Sequence, residues 1–193
     1  MSFTLNKKEK RILLQVARGS IGAALGRQRE VSPQATENLL TPCGAFVTLH
    51  LQGELRGCIG HMSGHKSLID EVRDLARSAA FHDPRFPPLK AEEFDLIDIE
   101  VSVLTPMEEI DSPQEVIVGR HGVYLEHGGH SGVLLPQVPV EQRWNREQYL
   151  QHLCLKAGLS PDCFDTPGYR LMVFEALVFG ENEVGREDDA EQP

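Results

Sequence analysis

The chain has 193 residues, of which 40% are hydrophobic and 25% are charged, as is usual for a globular protein. Its formal net charge of −10 counts against a general nucleic-acid-binding protein, because such proteins carry a basic face. No apolar run approaches the roughly 18–20 residues that cross a bilayer, and the N-terminus lacks the apolar stretch of a secretion signal. We therefore expect a cytoplasmic protein in which the four cysteines, Cys43, Cys58, Cys154 and Cys163, are free thiols.

The first third of the chain predicts a helix followed by a hairpin. Apolar residues recur at three- and four-residue spacing from residue 7 to about residue 27, which is typical of an amphipathic helix. Apolar and polar residues alternate over residues 43–52, which indicates a strand whose second face is partly covered. A tight turn at Gly53 leads into a second strand over residues 55–60, so the two strands predict a β-hairpin.

The middle of the chain predicts a second helix, a strand and a second hairpin. The helix covers residues 68–79 and ends before the proline-rich segment of residues 83–88, because proline is not tolerated inside a helix. Residues 97–103 alternate more clearly than any other segment and predict a half-buried strand. Residues 122–135 predict a hairpin that folds at two adjacent glycines.

The last part predicts a capped helix and one long strand. Asn145 caps a helix over residues 146–157 in a capping box with Gln148, and an apolar strand covers residues 169–180. The order of elements is not a regular βαβ alternation, which favours an α+β fold: an antiparallel sheet flanked by helices, with two unequal lobes in one compact unit. We predict one domain over residues 1–180 and a disordered acidic tail over residues 181–193.

Four segments together resemble a known family. They are residues 55–60 (LRGCIG), 83–89 (DPRFPPL), 100–106 (EVSVLTP) and 134–138 (LLPQV), the last followed by residues 156–159 (KAGL). In this order and spacing they closely resemble the AMMECR-type family, called protein A of the AmmeMemoRadiSam system in bacteria and archaea. The resemblance covers about residues 6–179 and implies two unequal lobes around antiparallel sheet. It also implies a Memo-type protein and a radical S-adenosylmethionine (SAM) protein as partners, but it brings no established reaction.

The suspected functional feature of that family is the strand motif that maps onto Arg56, Gly57, Cys58 and Gly60. Strict alternation sends Arg56 and Cys58 to the same face, where a guanidinium favours the thiolate form of a cysteine. The two glycines remove side chains, so that another backbone or a ligand can come close. We predict that Cys58 is a catalytic nucleophile or redox centre and that Arg56 is its electrostatic activator.

A ligand site is predicted around the same strand. Asp83 and Arg85 lie in a proline-stiffened loop that can fold back over it, and either Arg56 or Arg85 can bind an anion. Another interpretation is structural: Cys58 fills space, and Arg56 forms a buried ion pair with Glu100 or Asp83. We predict no metal site, and the cofactor is left open. The residues that we predict to bind a ligand are Gly57, Gly60, His61, Asp83, Arg85 and Glu100.

Three classes of function remain open. The first is a thiol-based enzyme, or a substrate-handling component, that acts with the Memo-type and radical SAM partners. The second is a non-catalytic binding or adaptor module that uses a groove at residues 55–60. The third is RNA binding or modification, which requires a basic patch built from Arg56, Arg73, Arg77 and Arg85 and is opposed by the acidic balance of the chain. No membrane association is expected.

Overall fold

The computed structural model describes residues 3–186, with the side chains of residues 185 and 186 left aside. This part of the chain divides into two compact units, the first formed by residues 3–104 and 177–186 and the second by residues 105–176. Each unit contains one four-stranded antiparallel sheet with helices packed against it. The predicted α+β class with two unequal lobes is therefore confirmed. Every helix within residues 3–186 is too short or too polar to span a bilayer.

The elements follow one another along the chain in the predicted order, with a few short additions. The helices are α1 (Lys7–Ala24), α2 (Glu37–Leu40), α3 (Leu68–Phe81), α4 (Val138–Glu141), α5 (Arg146–Lys156) and α6 (Glu181–Arg186). The strands are β1 (Ala45–Leu51), β2 (Glu54–His61), β3 (Ile97–Leu104), β4 (Glu108–Ile110), β5 (Gly122–His127), β6 (His130–Leu134), β7 (Tyr169–Phe174) and β8 (Ala176–Gly180). Short 3₁₀ turns lie at Ala91–Glu93, Pro113–Glu115 and Cys163–Asp165.

The sheet of the first unit has the strand order β2-β1-β3-β8, with β1 paired antiparallel to both β2 and β3. Helices α1 and α3 contact each other and this sheet. The alternation of apolar residues explains the arrangement, because Val47, Leu49, Ile99 and Val101 are fully buried beneath the helices. The residues between them are half-buried and form the second face of the sheet, which is called the outer face below.

The sheet of the second unit has the strand order β4-β7-β5-β6, and α5 packs against it. The predicted capping box of Asn145 and Gln148 is confirmed, since each side chain bonds the backbone N–H of the other residue. The predicted hairpin turn is also confirmed, because Gly128 and Gly129 join β5 to β6 with φ values of 58° and 83° that favour glycine.

The prediction of a single long strand over residues 169–180 is wrong. The chain leaves the second sheet after β7 and joins the first sheet as β8, with Glu175 between the two strands. The backbone N–H of Glu175 donates to the side chain of Thr105, and its carbonyl accepts from the Thr105 N–H. An unbroken apolar pattern does not reveal that the chain passes from one sheet to the other, because both strands bury apolar side chains in the same way.

The prediction of four free thiols is also wrong. Cys154, near the end of α5, forms a disulfide with Cys163, and their Cα atoms are 6.0 Å apart. Gly158 adopts a left-handed conformation after the helix and turns the chain back, which brings the two residues together. Only Cys43 and Cys58 keep free thiols.

The predicted disorder from residue 181 onward is wrong for the start of the tail, because residues 181–186 form α6. The Glu181 carboxylate accepts two hydrogen bonds from Arg18 and one from the Ile99 N–H, and Val184 is buried in the core of the first unit. These contacts with distant residues stabilise a helix that its composition alone does not predict. Residues 187–193 lie outside the described part of the chain.

We expect Arg18→Met to lower the free energy of unfolding by about 2–3 kcal/mol, because the Phe94 and Ile97 carbonyls would lose this donor and the Glu181 carboxylate would keep only the Ile99 N–H. Urea denaturation measures the change. The control is Arg120→Met, which removes an exposed ion pair with Glu175 and should cost less than about 1 kcal/mol. Equal losses in the two variants would contradict the assigned role of Arg18.

Candidate functional site

The register of the β1–β2 hairpin is not regular at the cysteine motif. Leu49 lies opposite Gly57 and His50 lies opposite Leu55, so Arg56 is an extra residue in β2. An insertion of this kind is a β-bulge, which bends the strand and redirects a side chain. Beyond the bulge the pairing is regular, and Cys58 lies opposite Thr48.

The bulge directs Arg56 away from the role predicted for it. Its side chain is buried, with Nε donating to Glu93 Oε1 at 2.8 Å and Nη2 donating to Glu93 Oε2 at 3.0 Å. The predicted ion pair with Glu100 or Asp83 is therefore wrong, and strict alternation fails at this residue. Within residues 3–186 no hydrogen bond joins the Arg56 guanidinium to Cys58, and its Nη1 atom is buried without a hydrogen-bond partner.

Cys58 is half-buried and is held by three different side chains. Its N–H donates to Asp83 Oδ2 at 2.8 Å, and its carbonyl accepts from Arg85 Nη2 at 3.1 Å. Its sulfur accepts a hydrogen bond from the Thr48 hydroxyl at 3.2 Å. Because β2 is an edge strand, the outward N–H and carbonyl groups of Cys58 have no neighbouring strand to pair with. The side chains of Asp83 and Arg85 bond these two groups instead.

The segment of residues 83–89 does fold back over β2, and its carboxylate and guanidinium form one unit. Asp83 is only 4% exposed and accepts from the backbone N–H, Nε and Nη2 of Arg85 as well as from Cys58. The Arg85 side chain beside Asp83 holds the pKa of that carboxyl well below its usual range, and burial opposes the shift. The guanidinium next to Cys58 is therefore that of Arg85, which also lies 5.5 Å from the centre of the Phe86 ring.

The two glycines of the motif are required by neighbouring groups of the protein itself. A Cβ atom on Gly57 would lie 2.2 Å from the Ala79 carbonyl oxygen in α3. A Cβ atom on Gly60 would lie 2.1 Å from the ring of Phe46. The absence of a side chain at Gly57 thus lets another backbone come close, which is one of the two alternatives predicted for these glycines. The absence of a side chain at Gly60 makes room for an aromatic ring.

His61 and Glu100, two more of the predicted ligand residues, lie on different strands and differ in their surroundings. His61 ends β2 and bonds through Nδ1 to the buried carboxylate of Glu71 in α3. Glu100 lies opposite Thr48 on β3, so that Cys58, Thr48 and Glu100 form one row across three strands of the outer face. Strands in a sheet are about 4.8 Å apart, which places the strand of Glu100 about 10 Å from that of Cys58. Among residues 3–186, no group of three or more His, Cys, Asp or Glu side chains is placed to hold a metal ion.

Cys58 is distinguished from the other three cysteines by its environment. Cys154 and Cys163 are joined in the disulfide, and Cys43 is 3% exposed. Burial raises the pKa of the Cys43 thiol to about 11, so this thiol stays protonated near neutral pH. Cys58 alone combines a free thiol with partial exposure.

Two residues of this site were missed from the sequence. Thr48 is an ordinary threonine in an alternating strand, and only the hairpin register, which the bulge at Arg56 shifts by one residue, places it beside Cys58. Glu93 lies 37 residues from Arg56 in a 3₁₀ turn, and no local pattern connects the two.

The chain thus has two four-stranded sheets, and Cys58 lies on an edge strand whose outward backbone groups are bonded by Asp83 and Arg85. This chain matches known proteins over nearly its whole length. The AMMECR1 family model matches residues 14–179. A protein of Methanopyrus kandleri is 44% identical over 95% of this chain and 93% of its own length, and one of Methanothermobacter thermautotrophicus is 44% identical over 92% and 97%. The crystal structure of an uncharacterized protein from Pyrococcus horikoshii superposes with a TM-score of 0.72 at 39% identity, covering 92% of this chain and 93% of that one. The chain belongs to the AMMECR1 family.

We expect Asp83→Asn to lower the free energy of unfolding at pH 7 by about 1–3 kcal/mol, because an amide group would face the N–H donors of Cys58 and Arg85. The folded-state pKa of Asp83 is depressed, so its contribution is present above the ordinary carboxyl pKa of about 3.9 and is lost as the pH falls through the folded value. The difference between wild type and variant should therefore shrink below about pH 4.

Urea denaturation at pH 7 and at stepwise lower pH tests this expectation. Asp111→Asn is the control, since Asp111 is exposed, and it should change the free energy of unfolding little at either pH. A difference between wild type and Asp83→Asn that stays constant on acidification would contradict a role for the Asp83 charge.

Proposed function

We propose that this protein is a thiol-based enzyme, or the substrate-handling component of one, with Cys58 as the reacting group. The observation that carries the proposal is the free thiol of the half-buried residue Cys58, which is hydrogen-bonded to Thr48 and whose backbone is held by Asp83 and Arg85. Reacting groups need such fixed positions, because a misplaced nucleophile loses much of its rate.

The surroundings of Cys58 supply the remaining parts of a thiol site. The thiolate is the nucleophilic form of cysteine, and a hydroxyl that donates to sulfur stabilises it. Arg85 is half-exposed and uses Nε and Nη2 within the protein, whereas its Nη1 makes no hydrogen bond within residues 3–186. Arg85 therefore stays the proposed ligand anchor, with an anionic group of the substrate on Nη1. Glu100 borders the same face on the other side of Thr48.

The proposed partners come from the family resemblance. We propose that the protein acts in the cytoplasm with a Memo-type protein and a radical SAM protein, and that Cys58 handles a substrate of that pathway. The relatives named above are uncharacterised, so their names add no reaction to the proposal.

A second candidate is the non-catalytic adaptor module. It is favoured by the exposure of two side chains close to the motif, Leu55 at 42% and Arg85 at 54%, which offer an apolar and a cationic contact to a partner. RNA binding is less well supported. Arg56, Arg73 and Arg85 of the required basic patch are ion-paired with Glu93, Asp70 and Asp83, respectively.

We expect iodoacetamide to modify Cys58 first in the folded protein, while Cys43 resists until unfolding because its buried thiol stays protonated. Mass spectrometry of peptides taken over time and over a range of pH measures each site. Thr48→Val should slow modification of Cys58 about 3- to 10-fold, as expected from losing a hydrogen bond worth about 1 kcal/mol.

Thr48→Ser is the matched control, since it keeps the hydroxyl and should keep most of the rate. If Cys58 stays unmodified until the protein unfolds, the thiol is packing and the enzyme proposal fails.

The adaptor candidate predicts a different set of sensitive residues. Leu55→Glu should abolish capture of a purified Memo-type protein in a pull-down, while Cys58→Ser leaves capture unchanged. Ile117→Glu is the control, because Ile117 is a similarly exposed apolar residue of the second unit, at 46%. Full capture by Leu55→Glu would exclude a docking role for this surface.

A further inference from the structure

Two neighbouring rows of side chains cross the outer face at the proposed thiol site. The first row is Cys58, Thr48 and Glu100, on β2, β1 and β3. The second row, one step along the strands, is Leu55, His50 and Asp98. The second row brings the His50 imidazole to a position diagonal to the thiol and the Asp98 carboxylate to the far side of that imidazole, and the proposed function uses neither.

His50 lies on the same face as Cys58. Thr48 and His50 are two residues apart on β1, and the pairing of β1 with β3 is regular over the whole strand, so both side chains point to one side. Leu49, which lies between them, and Val47, which precedes Thr48, are fully buried on the opposite face. Because Thr48 is directly opposite Cys58, His50 is the diagonal neighbour of the cysteine.

Diagonal neighbours in a sheet are about 7–8 Å apart, a distance that long and aromatic side chains can bridge. Within residues 3–186 no hydrogen bond joins His50 to Cys58 or to Asp98, so rotation about the two side-chain bonds of the histidine is needed to close the contact with sulfur. Catalytic hydrogen bonds are often long or poorly aligned before a substrate binds, and tighten in the complex.

We propose that His50 is the base that takes the proton of the Cys58 thiol and that Asp98 orients its imidazole. This inference rests on the proposed thiol function. Thiol, imidazole and carboxylate would then stand in that order on β2, β1 and β3 and take the roles of nucleophile, base and orienting group, which recur together in unrelated folds. The reaction class that suits it is acyl transfer, with an ester, thioester or amide as substrate.

The proposed reaction is balanced without an oxidant or a reductant. His50 takes the S–H proton, and the thiolate attacks the substrate carbonyl carbon to form a C–S bond. The bond from that carbon to the leaving group breaks, and the leaving group departs with the proton from the His50 imidazolium. Water then attacks the thioester and gives its proton to His50; the carboxylic acid leaves, and the sulfur is reprotonated as the thiol.

The charged groups that face His50 favour this role. From β3 these are the carboxylates of Asp98 and Glu100; on β2 the diagonal neighbour is the Cys58 thiol, and the bulged residue Arg56 is ion-paired with Glu93. The outward side chains of β1 beside it, Phe46 and Thr48, carry no charge. Asp98, directly opposite His50, is the carboxylate that the strand pairing places nearest to the imidazole.

The pH profile of Cys58 alkylation by iodoacetamide, between pH 6 and 9, tests the inference on the full chain. In the wild type the rate should fall only shallowly toward pH 6, because the imidazole holds the thiol proton. In His50→Asn the rate at pH 6.5 should be at least tenfold lower and should approach the wild-type rate at pH 9, where hydroxide removes the proton. Asp98→Asn should lie between them, and His65→Asn, at an exposed histidine before α3, should match the wild type.

A second measurement uses the acyl group directly. p-Nitrophenyl acetate should acetylate Cys58, with release of p-nitrophenol, at least tenfold more slowly in His50→Asn and His50→Gln than in wild type at pH 7. Urea midpoints confirm that the variants are folded. Identical alkylation profiles in wild type and both His50 variants would overturn the role of His50 while leaving a reactive Cys58. A Cys58 that is inert in every folded variant would instead defeat the proposed thiol function itself.

Discussion

The outward backbone groups of β2 at Cys58 are the constraint on which the site depends. An edge strand leaves N–H and carbonyl groups without strand partners, and here a carboxylate and a guanidinium two residues apart supply them. The buried Asp83 charge is tolerable because Arg85 lies against it, and a charge without such a partner would be costly. The same pair holds the loop of residues 83–89 on the sheet and fixes the backbone from which the thiol projects.

The bulge at Arg56 also determines the geometry of the motif. In a strand without a bulge, Arg56 would share the face of Cys58, as strict alternation predicts. In the bulge, the Arg56 guanidinium turns to Glu93 and is buried there, and the residues in the row of Cys58 across the sheet are Thr48 and Glu100. Gly57 completes the arrangement, since only glycine lets β2 approach the Ala79 carbonyl of α3 so closely. Within this short motif, Gly57 allows close packing against α3, and Cys58 carries a thiol on the opposite face of the sheet.

These features support a thiol site more directly than a charged docking or RNA-binding surface. The arginines near the motif are committed to carboxylates of the protein, which leaves one guanidinium nitrogen of Arg85 for a ligand. Cys58 is the cysteine that is neither buried like Cys43 nor joined in a disulfide. Membership of the AMMECR1 family agrees with the motif, and the chemistry must be argued from the side chains themselves.

The sequence by itself determined the elements whose signals are local. Periodicity gave α1 and α3, paired glycines gave the β5–β6 turn, and Asn145 with Gln148 gave the start of α5, because each of these depends on residues within one or two turns of chain. It also indicated that the loop of Asp83 and Arg85 returns to the cysteine strand. Tertiary structure alone decided the partner of Arg56, the disulfide, the division of residues 169–180 between two sheets and the helix at Glu181. Each of these depends on which surfaces meet across long separations or on a one-residue shift in register, and hydrophobic pattern specifies which face is buried but not what lies opposite it.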